Sequence, residues 1–179
     1  MLENVRFAFG KRALKHKYKH NKREKRAINL KEAKTAGIVM YPKTVNDFEE
    51  SKSFLDEIRN SGAQITVLVY IDDDELYAYF RKKNYLNIVT QHELNWLYIP
   101  KHQIVERFIS QPFDILIDLS LQFVFPVTYI TATSEARFKV GLKNKQHQYF
   151  DMMLDLGEQV ERAHFIEQLK YYLQNIKTK

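Results

Sequence analysis

The chain has 179 residues, 45% of them hydrophobic, with 12 Phe and 11 Tyr, which is enough for one packed domain and too apolar for a disordered chain. It contains no cysteine, which excludes disulfide frameworks, thiolate zinc sites and cysteine nucleophiles. The net charge of +6 is unevenly placed: residues 1–34 hold 12 Lys and Arg against three Glu, a surplus of +9, whereas 35–179 hold 16 basic and 19 acidic residues.

This step near Thr35 divides the chain into a basic N-terminal arm, 1–34, and an α/β domain, 35–179. The first ten residues carry Glu3 and Arg6 where a secretory signal needs an apolar stretch, and no run of ~18 apolar residues occurs. A cytoplasmic location is therefore the expectation. From Gly10 to Arg26 the arm lacks further glycine or proline and suits a helix with cations on every side. Leu14 and Tyr18 are its sizeable apolar contacts, too few to predict burial against a core.

Beyond the arm, apolar β-branched runs alternate with helical periodicity, the pattern of a mainly parallel sheet with crossover helices. Ala36 to Tyr41 reads as a strand buried on both faces, and Val45 to Asn60 as a helix stopped by Ser61-Gly62. Ile65 to Ile71 is a second strand and Asp73 to Lys83 a short helix. Leu86 to Thr90 is a weaker third strand, followed by the irregular aromatic segment Asn95 to Pro100 and a helix over Lys101 to Ser110. Phe113 to Leu119 makes a central strand, with Phe113, Ile115, Ile117 and Leu119 on one face. Val124 to Thr133 forms a crossover, Arg137 to Val140 a fifth strand, Phe150 to Leu154 an edge strand, and Glu158 to Asn175 a closing helix. Right-handed crossovers then give a Rossmann-like, doubly wound sheet of order 3-2-1-4-5.

Ligands of such sheets bind beyond the carboxyl ends of the strands, so the loops there hold the candidate crevice residues: Tyr41, Lys43, Asp72, Asp74, Asp118 and Ser120. The five glycines assemble no nucleotide fingerprint, and no nucleophile stands in a hydrolase elbow, so the sequence points to no cofactor and no catalytic residue. Asp72 to Glu75 would suit a divalent cation, but acids at a helix start stabilise its dipole, and that role is the one expected. Asp118 is expected to hydrogen-bond the following loop and cap the next helix. The histidines are scattered, and His16 and His20, one helical turn apart among lysines, are expected to be solvated rather than metal-bound.

Through Phe113 to Ser120, and through Lys34 to Ile38, Asn95-Trp96, Phe138 to Gly141 and Tyr149 to Asp151, the chain resembles an uncharacterised family, a domain of unknown function found in Bacteroidetes. Phe113 to Ser120 with the following helix and Ala136 to Gly141 are similar to the N-terminal half of heptosyltransferase-type glycosyltransferases. That resemblance implies a Rossmann-like half without the half that carries the sugar-nucleotide site.

The functional expectation is a non-enzymatic binding protein, ribosome-associated, whose arm engages structured RNA through Lys11, Arg12, Lys15, Lys17, Lys19, Lys22, Arg23, Lys25 and Arg26. Two alternatives stand beside it. One is an enzyme, or an enzyme relic, taking a nucleotide-linked or phosphorylated small molecule in the crevice. The other is an adaptor on an anionic membrane surface, with Leu2, Val5, Phe7 and Phe9 as insertion points.

Overall fold

The computed structural model describes residues 2–144, 149–157 and 159–178. Six parallel strands, β1 (Thr35–Met40), β2 (Gln64–Ile71), β3 (Leu86–Thr90), β4 (Ile115–Asp118), β5 (Phe138–Leu142) and β6 (Met152–Leu154), lie in the order β3-β2-β1-β4-β5-β6. The expected 3-2-1-4-5 order is present, with β6 added in parallel outside β5. The order reverses between β1 and β4, which opens a switch point at the carboxyl edge.

The helices are α1 (Leu2–Lys19), α2 (Val45–Asn60), α3 (Asp74–Phe80), α4 (Gln103–Ser110), α5 (Phe125–Thr133) and α6 (Arg162–Asn175). Alternation along the strands sends Ala36, Ile38, Met40, Ile115, Ile117 and Leu119 into a core with α2 and α6. Val39, Leu68 and Leu116 point into a second core with α4 and α5. Helix α2 starts in a capping box between Thr44 and Asp47, and Gly62, at φ 96°, lets the chain leave it.

Three sequence expectations are corrected by packing. Phe113 precedes the paired part of β4, turns back through its N–H to Gln111 O, and stacks on Phe108 in the opposite core from Ile115 and Ile117. The last helix begins at Arg162, whose side chain is buried and reaches Leu119 O at 2.7 Å; Glu158 lies outside the described residues, as does His147. The largest correction concerns the arm. Its helix spans Leu2–Lys19, not Gly10 to Arg26, and it does bury against a core.

Helix α1 lies on α5: Phe7 meets Phe125 edge-on, and Leu14, 2% exposed, joins Ile99, Tyr129 and Ala132. Gly10 permits that approach, because a Cβ there would stand 2.5 Å from Leu97 O. Beyond Lys19 the chain runs without helix under the amino edge of the sheet. Asn21 donates to Thr133 O and Ser134 O at the end of α5, and Arg26 N–H pairs with Arg137 O. Ile28 and Leu30 then enter the opposite core, where Leu30 N–H reaches Leu173 O on α6. Residues 20–34 therefore form a strap that, together with α1, is joined to both faces. Its attachment was hidden in sequence because the partners, Ile99 and the aromatic residues of α5, lie about a hundred residues away.

Candidate functional site

Of the nine arm cations that the sequence assigns to RNA, eight stand exposed: Lys11, Arg12, Lys15, Lys17, Lys19, Lys22, Lys25 and Arg26. Arg23 does not. Its side chain is 3% exposed, pairs with Asp151 at 2.6 Å and donates to the carbonyls of Ala136 and Arg137. Arg23 thus holds the strap to β5, which removes it from the cations that the sequence assigned to RNA. Lys25 approaches the same Asp151 at 3.7 Å, Lys11 lies over the Phe7 ring and Lys17 over Tyr129. Arg12, Lys15, Lys19 and Lys22 have no carboxylate within ion-pair distance among the described residues. A groove of about 490 Å³ runs where the strap meets α5 and β5, lined by Lys17, His20, Lys22 and Arg137 together with Glu24 and Glu135. His16 and His20 stack with ring centroids 4.3 Å apart.

At the carboxyl edge the crevice residues fall into separate groups. Tyr41 donates to Asp72 at 2.5 Å, and the Lys43 ammonium donates to Tyr41 at 2.6 Å and approaches Asp72 at 3.3 Å. The Tyr41 bond holds the Lys43 ammonium above its ordinary value against burial, while burial and Asp72 raise the Tyr41 phenol. Asp118 and Ser120 form the second group. Burial pushes the Asp118 carboxyl up to about 6, although its Oδ1 accepts the Ser120 N–H at 2.9 Å. The buried Ser120 Oγ lies near the same carboxyl and opposes the effect of burial, but no acceptor among the described residues meets it in full hydrogen-bond geometry. The cavity they line, about 20 Å³, has the size of one water, not of a substrate.

Asp118 ties the start of the loop but does not cap the following helix, whose N-cap is Val124 with no side-chain acceptor. Asp73, by contrast, does cap α3 by accepting the Leu76 N–H. Asp74 stands apart, its side chain 86% exposed, 3.6 Å from His92. Among the described residues no three His, Asp or Glu are grouped to hold a metal, and no helix is long and apolar enough to cross a membrane. Of the apolar residues considered for membrane insertion, Leu2, Val5 and Phe9 are exposed, whereas Phe7 packs on Phe125.

Sequence reasoning missed Tyr70, whose ring lies 5.7 Å from that of Tyr41, and Lys139, fully buried and donating to Ala132 O at 2.8 Å. Burial, helped by nearby Arg23, lowers the Lys139 ammonium to about 7. The signal for Lys139 was present: a lysine flanked by Phe138 and Val140 within a buried strand.

The chain belongs to a family of unknown function (DUF6913), matched over residues 6–176. That match takes in α1 and the strap as well as the sheet. A search of curated proteins finds no match. Among solved structures, the chain is similar to the glycosyl transferase family 9 protein from Veillonella parvula, with a TM-score of 0.53 and 14% identity. The likeness covers 84% of this chain and 43% of that one, so the chain spans less than half the length of that relative. At that identity it establishes the Rossmann-like fold alone.

Proposed function

We propose that the protein is a binding protein whose α1 and strap engage structured RNA, such as that of the ribosome. The observation that carries this reading is the set of uncompensated cations, Arg12, Lys15, Lys19 and Lys22, on a segment pinned to both faces of the domain. A disordered tail dilutes its charge over many conformations, whereas a docked helix offers a fixed array. Holding like charges together without counter-ions costs stability, and phosphates relieve that repulsion while releasing their own condensed ions. The groove beside Lys17 and Lys22 adds a concave track for a backbone. The mildly acidic remainder of the domain disfavours a second phosphate contact elsewhere and so orients the molecule.

Fluorescence anisotropy with a folded ribosomal RNA fragment, across a salt series, tests the reading. Wild-type protein should bind with an affinity that falls steeply with salt. Replacing Arg12, Lys15, Lys19 and Lys22 by Gln should flatten the salt slope by about one unit per cation. All four side chains are exposed and their mutual repulsion is relieved, so the thermal midpoint should not fall. Binding that ignores salt, or a quadruple variant that binds like wild type, would overturn the reading. Because Leu2, Val5 and Phe9 are exposed on α1, flotation with anionic vesicles belongs in the same experiment. Strong flotation without RNA affinity would favour a membrane partner instead.

A further inference from the structure

The first turns of α1 do not lie flush on the sheet edge. Between them, the end of β2 and the start of α5 is a cavity of about 350 Å³, within the range of small-molecule sites. Its walls are mainly apolar and include four aromatic rings: Phe7 of α1, Tyr70 of β2, Phe125 of α5 and Tyr98 of the irregular segment.

Two independent features give it a polar end. Tyr70 is 3% exposed, yet its hydroxyl has no hydrogen-bond partner among the described residues. The hydroxyl is not among the fully buried unpaired atoms; it belongs to a residue lining the cavity and opens there, free to donate to a ligand. Burial and the nearby Asp72 raise its pKa, so it remains a donor. The second feature is the N-terminus of α5. Its N-cap is Val124, which supplies no side-chain acceptor, and Pro126 follows, so the first turn keeps N–H groups without an intrahelical acceptor. Val124, Phe125 and Pro126 all line the same cavity. A phenol donor and a helix N-terminus beside aromatic walls call for a ligand with a flat apolar body and a negative acceptor. Glu3 on the wall and Asp72 near the Tyr70 hydroxyl together select against a ligand of more than one negative charge.

We propose that this cavity binds a small aromatic monoanion, a planar ring bearing one carboxylate, with the ring among Phe7, Tyr98 and Phe125 and the carboxylate at Tyr70 and the start of α5. The site is distinct from the cations assigned to RNA, so either proposal can fail without the other.

Calorimetric titration of the full chain with 2-naphthoate, and with 2-naphthylmethanol as its neutral counterpart, provides the test. The acid should bind at one site per chain and at least about tenfold more tightly than the alcohol, as a charge-assisted hydrogen bond requires. Tyr70→Phe should lose about tenfold in affinity for the acid and little for the alcohol. Since no protein group among the described residues bonds that hydroxyl, the variant should melt no lower than wild type. Glu3→Gln should bind the acid as well as wild type or better. Absence of saturable binding by 2-naphthoate, equal affinity for acid and alcohol, or a Tyr70→Phe variant that binds the acid like wild type would each overturn the proposal.

Discussion

Asp114 and Asp118 bracket strand β4, four residues apart, and their environments are opposite. Asp114, at the amino edge, accepts the N–H groups of Lys34 and Thr35 and pairs with Arg137 at 2.9 Å. Burial pushes its carboxyl up, but those three donors outweigh burial and hold it below its ordinary value. Asp118, at the carboxyl edge, has the Ser120 N–H and a site buried enough to take its carboxyl to about 6. The same contrast extends across the sheet. Along the amino edge, Asn21, Arg23 and Lys139 satisfy carbonyls at and beyond the end of α5. Along the carboxyl edge, Ser120 Oγ and Arg162 Nε are buried without hydrogen-bond partners among the described residues, the Tyr70 hydroxyl opens into a cavity, and α5 starts without a side-chain cap. The amino edge is built for stability. The carboxyl edge keeps polar groups that folding alone does not require, which is where binding chemistry resides in open α/β sheets.

Substitutions at the two ends of β4 give the sharpest contrast. Asp114→Ala strands two backbone donors and a guanidinium, and should cost about 3 kcal/mol in chemical denaturation. Asp118→Asn should do the reverse, raising stability at pH 7.5 by about 2–3 kcal/mol. The sign follows from the shift: between pH 4 and 6 the folded carboxyl keeps a proton that the unfolded chain has lost. Stability is therefore lost as pH rises through that window in wild type and not in the variant. If Asp118→Asn destabilises as much as Asp114→Ala, the two edges do not differ in kind.

Lys139 acts with the opposite sign in another pH window. Its ammonium falls to about 7 in the folded state, so above pH 7 the unfolded chain holds a proton that the native chain lacks. Stability should then climb with pH toward 10, by at most about 1.4 kcal/mol per unit, and Lys139→Met should flatten that climb. An unchanged slope in the variant would show that the buried amine is not its source.

The sheet was legible because parallel strands buried on both faces read as continuous apolar runs, as Ala36 to Tyr41 and Ile65 to Ile71 do. The fate of the arm was not. Nothing local to Leu14 or Gly10 announces a partner, since the surfaces they fit, Ile99, Leu97 and the aromatic face of α5, are assembled only by the fold. Arg23 shows the same limit: among eight similar cations, its burial depends on Asp151 and two carbonyls of a distant strand entrance. Of the crevice residues, position at strand ends identified Tyr41, Lys43 and Asp72, which do meet, but not that Asp74 would face solvent. Tyr70 escaped notice because an unpaired hydroxyl is a property of surroundings, not of spacing.

The central claim is that the charge on α1 and the strap meets RNA. Ultraviolet crosslinking in cells, followed by mass spectrometry of the crosslinked peptides and sequencing of the attached nucleic acid, measures this most directly. The account predicts structured RNA crosslinked within residues 11–26, and loss of those crosslinks when Arg12, Lys15, Lys19 and Lys22 are replaced by Gln. Protein recovered free of RNA, or crosslinks confined to the acidic body of the domain, would contradict it.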